Sequence, residues 1–320
     1  MGTTQAGRQT AVTATAIGSV NTAMTRWLVT GASGMLGQDL AALLAESGAE
    51  LVVADHAELD ITDREGTAAF VGAVAPDIVV NCAGWTAVDD AESHESEALA
   101  VNGDGAANLA AACAAAGARM MHPSTDYVFS GDGTQPYPED HPTAPRSAYG
   151  RTKLAGEEAV LRLLPATGYV LRTAWLYGVH GPNFVRTMIR LEGSKDTVAI
   201  VNDQHGQPTW TMDVARQILL LAAASASAGV YHATSSGATT WMGLAREVFR
   251  LLGADPDRVT PTSSSELARP APRPAYSVLG HARWASAGLP PLPDWRESLH
   301  ASFPAMAAAE GRRPVTRSLS

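Results

Sequence analysis

Tyr149-Gly150-Arg151-Thr152-Lys153 places a phenol and an ammonium one helical turn apart, on one face of a helix. A phenol with a pKa of about 10 is a poor proton donor or acceptor near neutrality. A neighbouring Lys ammonium favours the phenolate and moves the phenol toward the working range of a general acid–base group. By itself this spacing is common on surface helices. It gains meaning from Ser124-Thr125-Asp126-Tyr127, which follow a strand-like run, because open parallel sheets bind ligands beyond the carboxyl ends of their strands. A hydroxyl there can hydrogen-bond the substrate oxygen that a phenol protonates.

A second group of residues suits a phosphate. Thr30-Gly31-Ala32-Ser33-Gly34-Met35-Leu36-Gly37 lies between a strand-like run and a helical one. Glycines at this spacing permit a tight turn, close approach of backbone to a pyrophosphate, and close helix packing. The helix start adds free N–H groups. Three spaced glycines also suit a flavin or a plain nucleotide. Asp55 follows the next strand, where an acid accepts from a ribose 2′-OH and repels a 2′-phosphate. The plain alternative for Asp55 is a solvated turn, and His56 beside it softens any repulsion.

The elements that must position these groups alternate in type. Trp27-Leu28-Val29-Thr30 reads as a strand. The helix after it carries Leu36, Leu40, Leu43 and Leu44 on one face. Strands are predicted at 51–54, 77–81, 119–122, 169–172, 198–201 and 229–232. Helices are predicted at 95–116, 213–224 and 241–252. This alternation implies βαβ units and an α/β, Rossmann-type, doubly wound parallel sheet. The pattern loosens after Arg172, and proline-rich stretches at 261–274 and 290–293 indicate a smaller C-terminal substrate lobe. The division expected is an extension at 1–24 and a dinucleotide-binding domain at 25–175. A mainly substrate-binding lobe follows at 176–304, with some elements returning to the sheet, and then a loose tail at 305–320.

Composition narrows the function classes. Of the 320 residues 46% are hydrophobic and 17% charged, a globular balance. A net charge of −9 argues against nucleic acid as the main partner, because phosphate backbones reward clustered Lys and Arg. Cys82 and Cys113, the only cysteines, have no framework spacing, so a reducing, cytoplasmic setting without structural zinc is expected. His122 and His232 read as strand residues, with no cluster around them to make a metal site. No apolar run approaches the ~18–20 residues of a membrane span. Residues 1–24 are too weakly apolar for a signal peptide, and Ala6 stands where a myristoylation motif needs Ser or Thr. Homodimerisation is left open.

Six motifs together resemble the dTDP-4-dehydrorhamnose reductase family, extended short-chain dehydrogenase/reductases, over about 26–302. They are Thr30-Gly-Ala-Ser-Gly-Met-Leu-Gly37, Val80-Asn-Cys-Ala-Gly-Trp-Thr-Ala-Val-Asp89, His122-Pro-Ser-Thr-Asp-Tyr-Val-Phe129, Tyr149-Gly-Arg-Thr-Lys153, Leu171-Arg-Thr-Ala-Trp-Leu-Tyr-Gly178 and Asn202-Asp-Gln-His-Gly-Gln-Pro-Thr209. The resemblance implies NADH or NADPH as cofactor and reduction of the C4 carbonyl of a dTDP-linked 4-keto-deoxysugar. Tyr149 would supply the proton, Lys153 would tune it and grip the nicotinamide ribose, and Thr125 would orient the oxygen.

In the same way, Gly31, Ser33, Gly34, Met35, Leu36, Gly37 and Asp55 would hold the dinucleotide. Asp60 and Ile61 would flank the adenine; Ala83, Gly84 and Trp85 would line the nicotinamide side. Asp126 and Trp175 would contact the sugar, and Arg273 would approach the diphosphate. Family members often have alanine at Gly84 and Tyr or His at Trp85, so packing there is a departure. Trp175 has a plain alternative as interlobe core, Asp203 and Gln204 as loop formers, and Trp241 and Met242 as core fillers at a helix start. Competing functions are an epimerase, a reductase of another dTDP-deoxyhexose, and a non-catalytic subunit like the regulatory subunit of methionine adenosyltransferase.

Overall fold

Trp27 and Val29 enter one hydrophobic core and Leu28 another, so the first strand, β1 (Arg26–Thr30), is apolar on both faces. A strand of that kind must lie inside a sheet covered on both sides. The computed structural model, which describes residues 25–313, shows this. The expectations for residues 1–24 lie outside the described residues, as do 314–320.

Strands β2 (Glu50–Ala54), β3 (Ile78–Asn81), β4 (Arg119–Thr125), β5 (Gly168–Thr173) and β6 (Gly229–His232) join β1 in one parallel sheet. Their order is β6-β5-β4-β3-β1-β2. The chain reverses direction across the sheet between β1 and β3, and a crevice opens there at the carboxyl ends. β4 runs three residues further than the pattern predicted, carrying Ser124 and Thr125 into the ladder beside β5. A full 3-2-1-4-5-6 sheet would place another strand outside β2. Residues 55–62 form turns instead, with Asp60 Oδ1 accepting from the Thr62 N–H and hydroxyl at 2.9 and 2.7 Å.

Helix α1 (Met35–Glu46) buries Leu36, Leu40 and Leu44 on one face of the sheet. Helix α2 (Arg64–Val74) starts at Asp63, whose carboxylate caps the Glu65 and Gly66 N–H groups. Helix α3 spans 95–116 as Glu95–Leu99, a π-helical Ala100–Gly105 and Ala106–Ala116. It covers the opposite face together with α4 (Ala148–Leu163).

The later chain builds the lobe. Helices α5 (Phe184–Glu192), α7 (Trp241–Leu251) and α8 (Trp295–Ala309) share a core containing Ile189, Phe249, Trp295 and Phe303. Two elements return to the sheet: α6 (Thr211–Ala223) packs on α1, and β6 pairs with β5. Residues 305–309, expected to be loose, complete α8. The apolar stripe of Leu299, Phe303, Met306 and Ala307 continues into them and is buried. Beyond it, Glu310 accepts from Arg186 at 2.6 Å. Among the described residues no helix is long and apolar enough to cross a membrane.

Candidate active site

The glycine turn leaves β1 with Gly31 at φ +62°. A side chain there would also collide with the Ala83 backbone, 2.5 Å from its Cβ position. Gly31 thus brings the turn against the segment Ala83-Gly84-Trp85 that follows β3. A Cβ on Gly34 would meet only the Gly31 carbonyl, at 3.2 Å, leaving the rest of its surroundings open. Gly34 also starts α1 without a side-chain cap, so the first N–H groups of the helix keep their bonding capacity. An open approach to unbonded helix N–H groups fits the pyrophosphate of a dinucleotide.

Ser33 is exposed, Met35 half-buried, and Leu36 turned into the core. Asp55 Oδ1 accepts from the Ser33 N–H at 2.8 Å, so its carboxylate braces the glycine turn. Of the pair expected to flank the adenine, Asp60 is spent partly on Thr62, and Ile61 is 4% exposed in the core. Only the Asp60 side of that pair is available to a ligand.

The acid–base group assembles where β4 ends. Ser147 caps α4 by accepting from the Gly150 N–H at 3.1 Å, and Glu92 accepts from the Ala148 N–H at 2.8 Å. These two contacts set the height at which Tyr149 enters the crevice. The Thr125 hydroxyl acts on the Tyr149 phenol, and Tyr127 packs edge-on against the Tyr149 ring, centroids 5.6 Å apart. Lys153, 7% exposed, donates to the Pro123 carbonyl at 2.7 Å.

Burial dominates the electrostatics here. It pushes the Tyr149 phenol up to about 12, only partly opposed by the Thr125 hydroxyl. It brings the Lys153 ammonium down to about 8, against the pull of Glu157 one turn on. The direction at Tyr149 is opposite to the one the Tyr–Lys spacing suggested, because desolvation dominates and the charge that acts on the phenol is the Asp126 carboxylate, which raises it further. A phenol so shifted stays protonated at neutral pH, as an acid must. Asp126 is 2% exposed; its Oδ1 accepts from Thr125 at 3.0 Å, and the Ser277 hydroxyl also acts on the carboxylate. Burial pushes that carboxyl up to about 6.

Asn102, missed in the sequence, lies in the π-helical turn of α3. It bonds both backbone groups of Trp85, and its Nδ2 donates to Thr152 Oγ1 at 3.1 Å. A π-turn inside a helix is a recurrent feature of functional sites, but no sequence period reveals one.

The remaining predicted residues lie further out. Arg273 donates to Asp89 at 2.8 Å and to the Ala271 carbonyl at 2.9 Å, pinning residues 271–273 beside a cleft of about 130 Å³ that Tyr127 and Arg146 also line. Trp175 has a left-handed backbone, φ +47°, a strain of roughly 1–3 kcal/mol for a non-glycine residue. Trp241 begins α7 half-buried, as the core reading expected, and stacks on Trp175. Asp203 and Gln204 shape their loop: Asp203 takes Ser264 at 2.6 Å and Gln204 takes Trp241 Nε1 at 3.0 Å.

A parallel sheet opening on a glycine turn, with a Tyr-x-x-x-Lys helix at its carboxyl edge, defines a short-chain dehydrogenase/reductase of the extended class. A family model described as the RmlD substrate binding domain matches residues 25–307. The dTDP-4-dehydrorhamnose reductase of Streptomyces griseus is 59% identical over 291 residues, 90% of this chain and 96% of that protein. The dTDP-4-keto-6-deoxy-D-glucose reductase of Streptomyces niveus is 54% identical over 285 residues, 89% and 99% of the two chains. A crystal structure of dTDP-4-dehydrorhamnose reductase from Bacillus anthracis in complex with NADP superposes with a TM-score of 0.84 at 36% identity, over 87% of this chain and 98% of that one. This chain belongs to the dTDP-4-dehydrorhamnose reductase family.

Proposed function

We propose that this protein reduces the C4 carbonyl of dTDP-4-dehydro-L-rhamnose, or of a close dTDP-deoxyhexulose, to the alcohol. The observation that carries the reading is the convergence of Thr125, Tyr149 and Lys153 beside a dinucleotide-type glycine turn, in a chain 59% identical to a reductase named for that substrate. NADH or NADPH, when bound, supplies the hydride. Gly31, Gly34 and Gly37 admit its pyrophosphate, and Ala83, Gly84 and Trp85 wall the nicotinamide side. Tyr149 gives its phenolic proton to the carbonyl oxygen as the hydride reaches the carbon, so one hydride and one proton make the alcohol. Thr125 holds that oxygen in line with the phenol, and Lys153 stabilises the phenolate left behind. Asp126, held at the end of β4 by Thr125, accepts from a sugar hydroxyl, and Arg273 faces the diphosphate from its post on Asp89.

The name of the Streptomyces niveus relative favours a second substrate, dTDP-4-keto-6-deoxy-D-glucose. A panel of dTDP-ketosugars with NADH and NADPH decides. Loss of the reduced-nicotinamide absorbance with the rhamnose precursor supports the first reading, and turnover confined to the glucose series supports the second. An epimerase gives no net oxidation, and a binding subunit gives neither activity.

A further inference from the structure

Glu157 and Arg172 form an ion pair sealed between helix and sheet, their side chains 2% and 5% exposed. Glu157 stands on α4, one turn beyond Lys153, and Arg172 stands on β5. Arg172 Nη2 donates to Glu157 Oε2 at 2.7 Å, and Arg172 Nε donates to Oε1 at 3.0 Å. The guanidinium also lies over the Phe129 ring, 4.8 Å from its centre. A buried pair of this kind gains little over two apolar side chains of similar volume. Its neighbours Val160, Val170 and Leu171 are apolar and fully buried, so the stability of the fold gives no reason for charges here.

The third partner of the carboxylate does. Ser124 Oγ donates to Glu157 Oε1 at 2.5 Å, and the Ser124 carbonyl accepts from the Thr173 hydroxyl at 2.8 Å. Ser124 sits between two residues of the acid–base group. On one side is Pro123, whose carbonyl accepts from Lys153 at 2.7 Å; on the other is Thr125, whose hydroxyl meets the Tyr149 phenol. Tyr149, Lys153 and Glu157 are spaced four apart on α4 and share one face of the helix. That face is tied to three consecutive residues of β4. Gly156 permits the close docking, because a Cβ there would collide with the Asn102 carbonyl and lie 3.2 Å from His122 Nε2.

We propose that Glu157 is a positioning residue of the reduction, with Arg172 as its fixed counter-ion: by gripping Ser124 it sets Thr125 against Tyr149 and Pro123 against Lys153. The proposal rests on the ketosugar-reductase reading. The carboxylate also acts on the lysine through space. Burial brings the Lys153 ammonium down to about 8, and Glu157 is the largest influence opposing it. Cys82, beyond β3, also acts on Lys153, and Lys153 in turn acts on His122 of β4. Burial pushes that thiol up to about 12 and that imidazole well below its ordinary value, so both are uncharged near neutrality. The Tyr149 phenol, at about 12, is uncharged as well. Of these groups only Glu157 brings a charge to the lysine.

Three variants test the assignment by kcat, by the pH dependence of NADPH binding and by melting temperature. Ser124→Ala breaks the grip and keeps the charge. It should lower kcat for dTDP-4-dehydro-L-rhamnose roughly five- to tenfold and leave the alkaline limb of NADPH binding in place. Glu157→Gln keeps an oxygen for Ser124 and removes the charge. The ammonium is then lost at lower pH. NADPH affinity, followed by nicotinamide fluorescence, should therefore fall about one pH unit earlier as pH rises. Glu157→Leu combined with Arg172→Met replaces the pair by apolar side chains, leaves no unpaired charge, and should show both effects in a folded protein. A folded double variant with kcat within about twofold of wild type and an unmoved limb would reduce the pair to a structural brace and overturn the proposal. Wild-type kcat in Ser124→Ala would overturn it too, and decides alone if neither Glu157 variant folds. Absence of NADPH oxidation by wild type across the ketosugar panel is the separate failure of the reductase reading, recognisable because NADPH still binds.

Discussion

Asn102 Oδ1 accepts from the Trp85 N–H at 2.8 Å, and Asn102 Nδ2 donates back to the Trp85 carbonyl at 3.1 Å. One buried side chain thus clamps, by both backbone groups, the segment expected to wall the nicotinamide. A Cβ on Gly84 would sit 3.2 Å from the same Oδ1 and 4.0 Å from Lys153 Nζ, so the clamp and the lysine border one space. Asn102→Ala leaves those backbone groups and the Thr152 hydroxyl short of partners. It should cost about 2–3 kcal/mol of stability and raise KM for the dinucleotide. Urea unfolding and a cofactor titration check the two effects; a change below about 0.5 kcal/mol in the first would show that water replaces the amide.

Removing the Tyr149 hydroxyl takes away one proton donor and little volume. Tyr149→Phe should lower kcat by about 10²–10⁴-fold while leaving dinucleotide affinity close to wild type. Turnover within tenfold of wild type would reassign the acid.

The pH dependence follows from the burial of Lys153, which brings its ammonium to about 8. The charged form predominates below that pH and the neutral form above it. Because kcat/KM reports groups of the free enzyme, kcat/KM for the dinucleotide should fall as pH rises through about 8. In Lys153→Met this alkaline limb should be missing from a much lower baseline. A limb displaced to the ordinary lysine range would mean that the site is wetter than the packing implies.

Asp55 has two claims on it, the ribose 2′-OH and the Ser33 N–H that it binds at 2.8 Å. If the carboxylate also faces a 2′-phosphate, Asp55→Ala should raise the ratio of kcat/KM for NADPH over NADH severalfold, on the order of 1 kcal/mol. An unchanged ratio, with both cofactors weakened alike, would assign Asp55 to bracing the turn alone.

The parts of the fold and site legible in the amino-acid order are those governed by local rules. The unbroken apolar run Trp27-Leu28-Val29 defines a strand buried on both faces, and the Leu36, Leu40, Leu44 stripe defines a helix docked on it. The glycine turn between them, and Tyr149 with Lys153 one turn apart, are readable because their spacing is short and their chemistry specific. Three other matters depend on contacts between residues far apart in the chain. The sign of the Tyr149 shift depends on desolvation by residues distant in sequence, which no spacing encodes. The partnership of Asn102 with Trp85 depends on a π-turn whose extra residue breaks helical periodicity. Trp175 looked from its strand position like a face for sugar. Trp241 stacks on one of its faces and the Gly206 backbone lies against its Cε2–Cζ2 edge, both more than thirty positions away in the sequence.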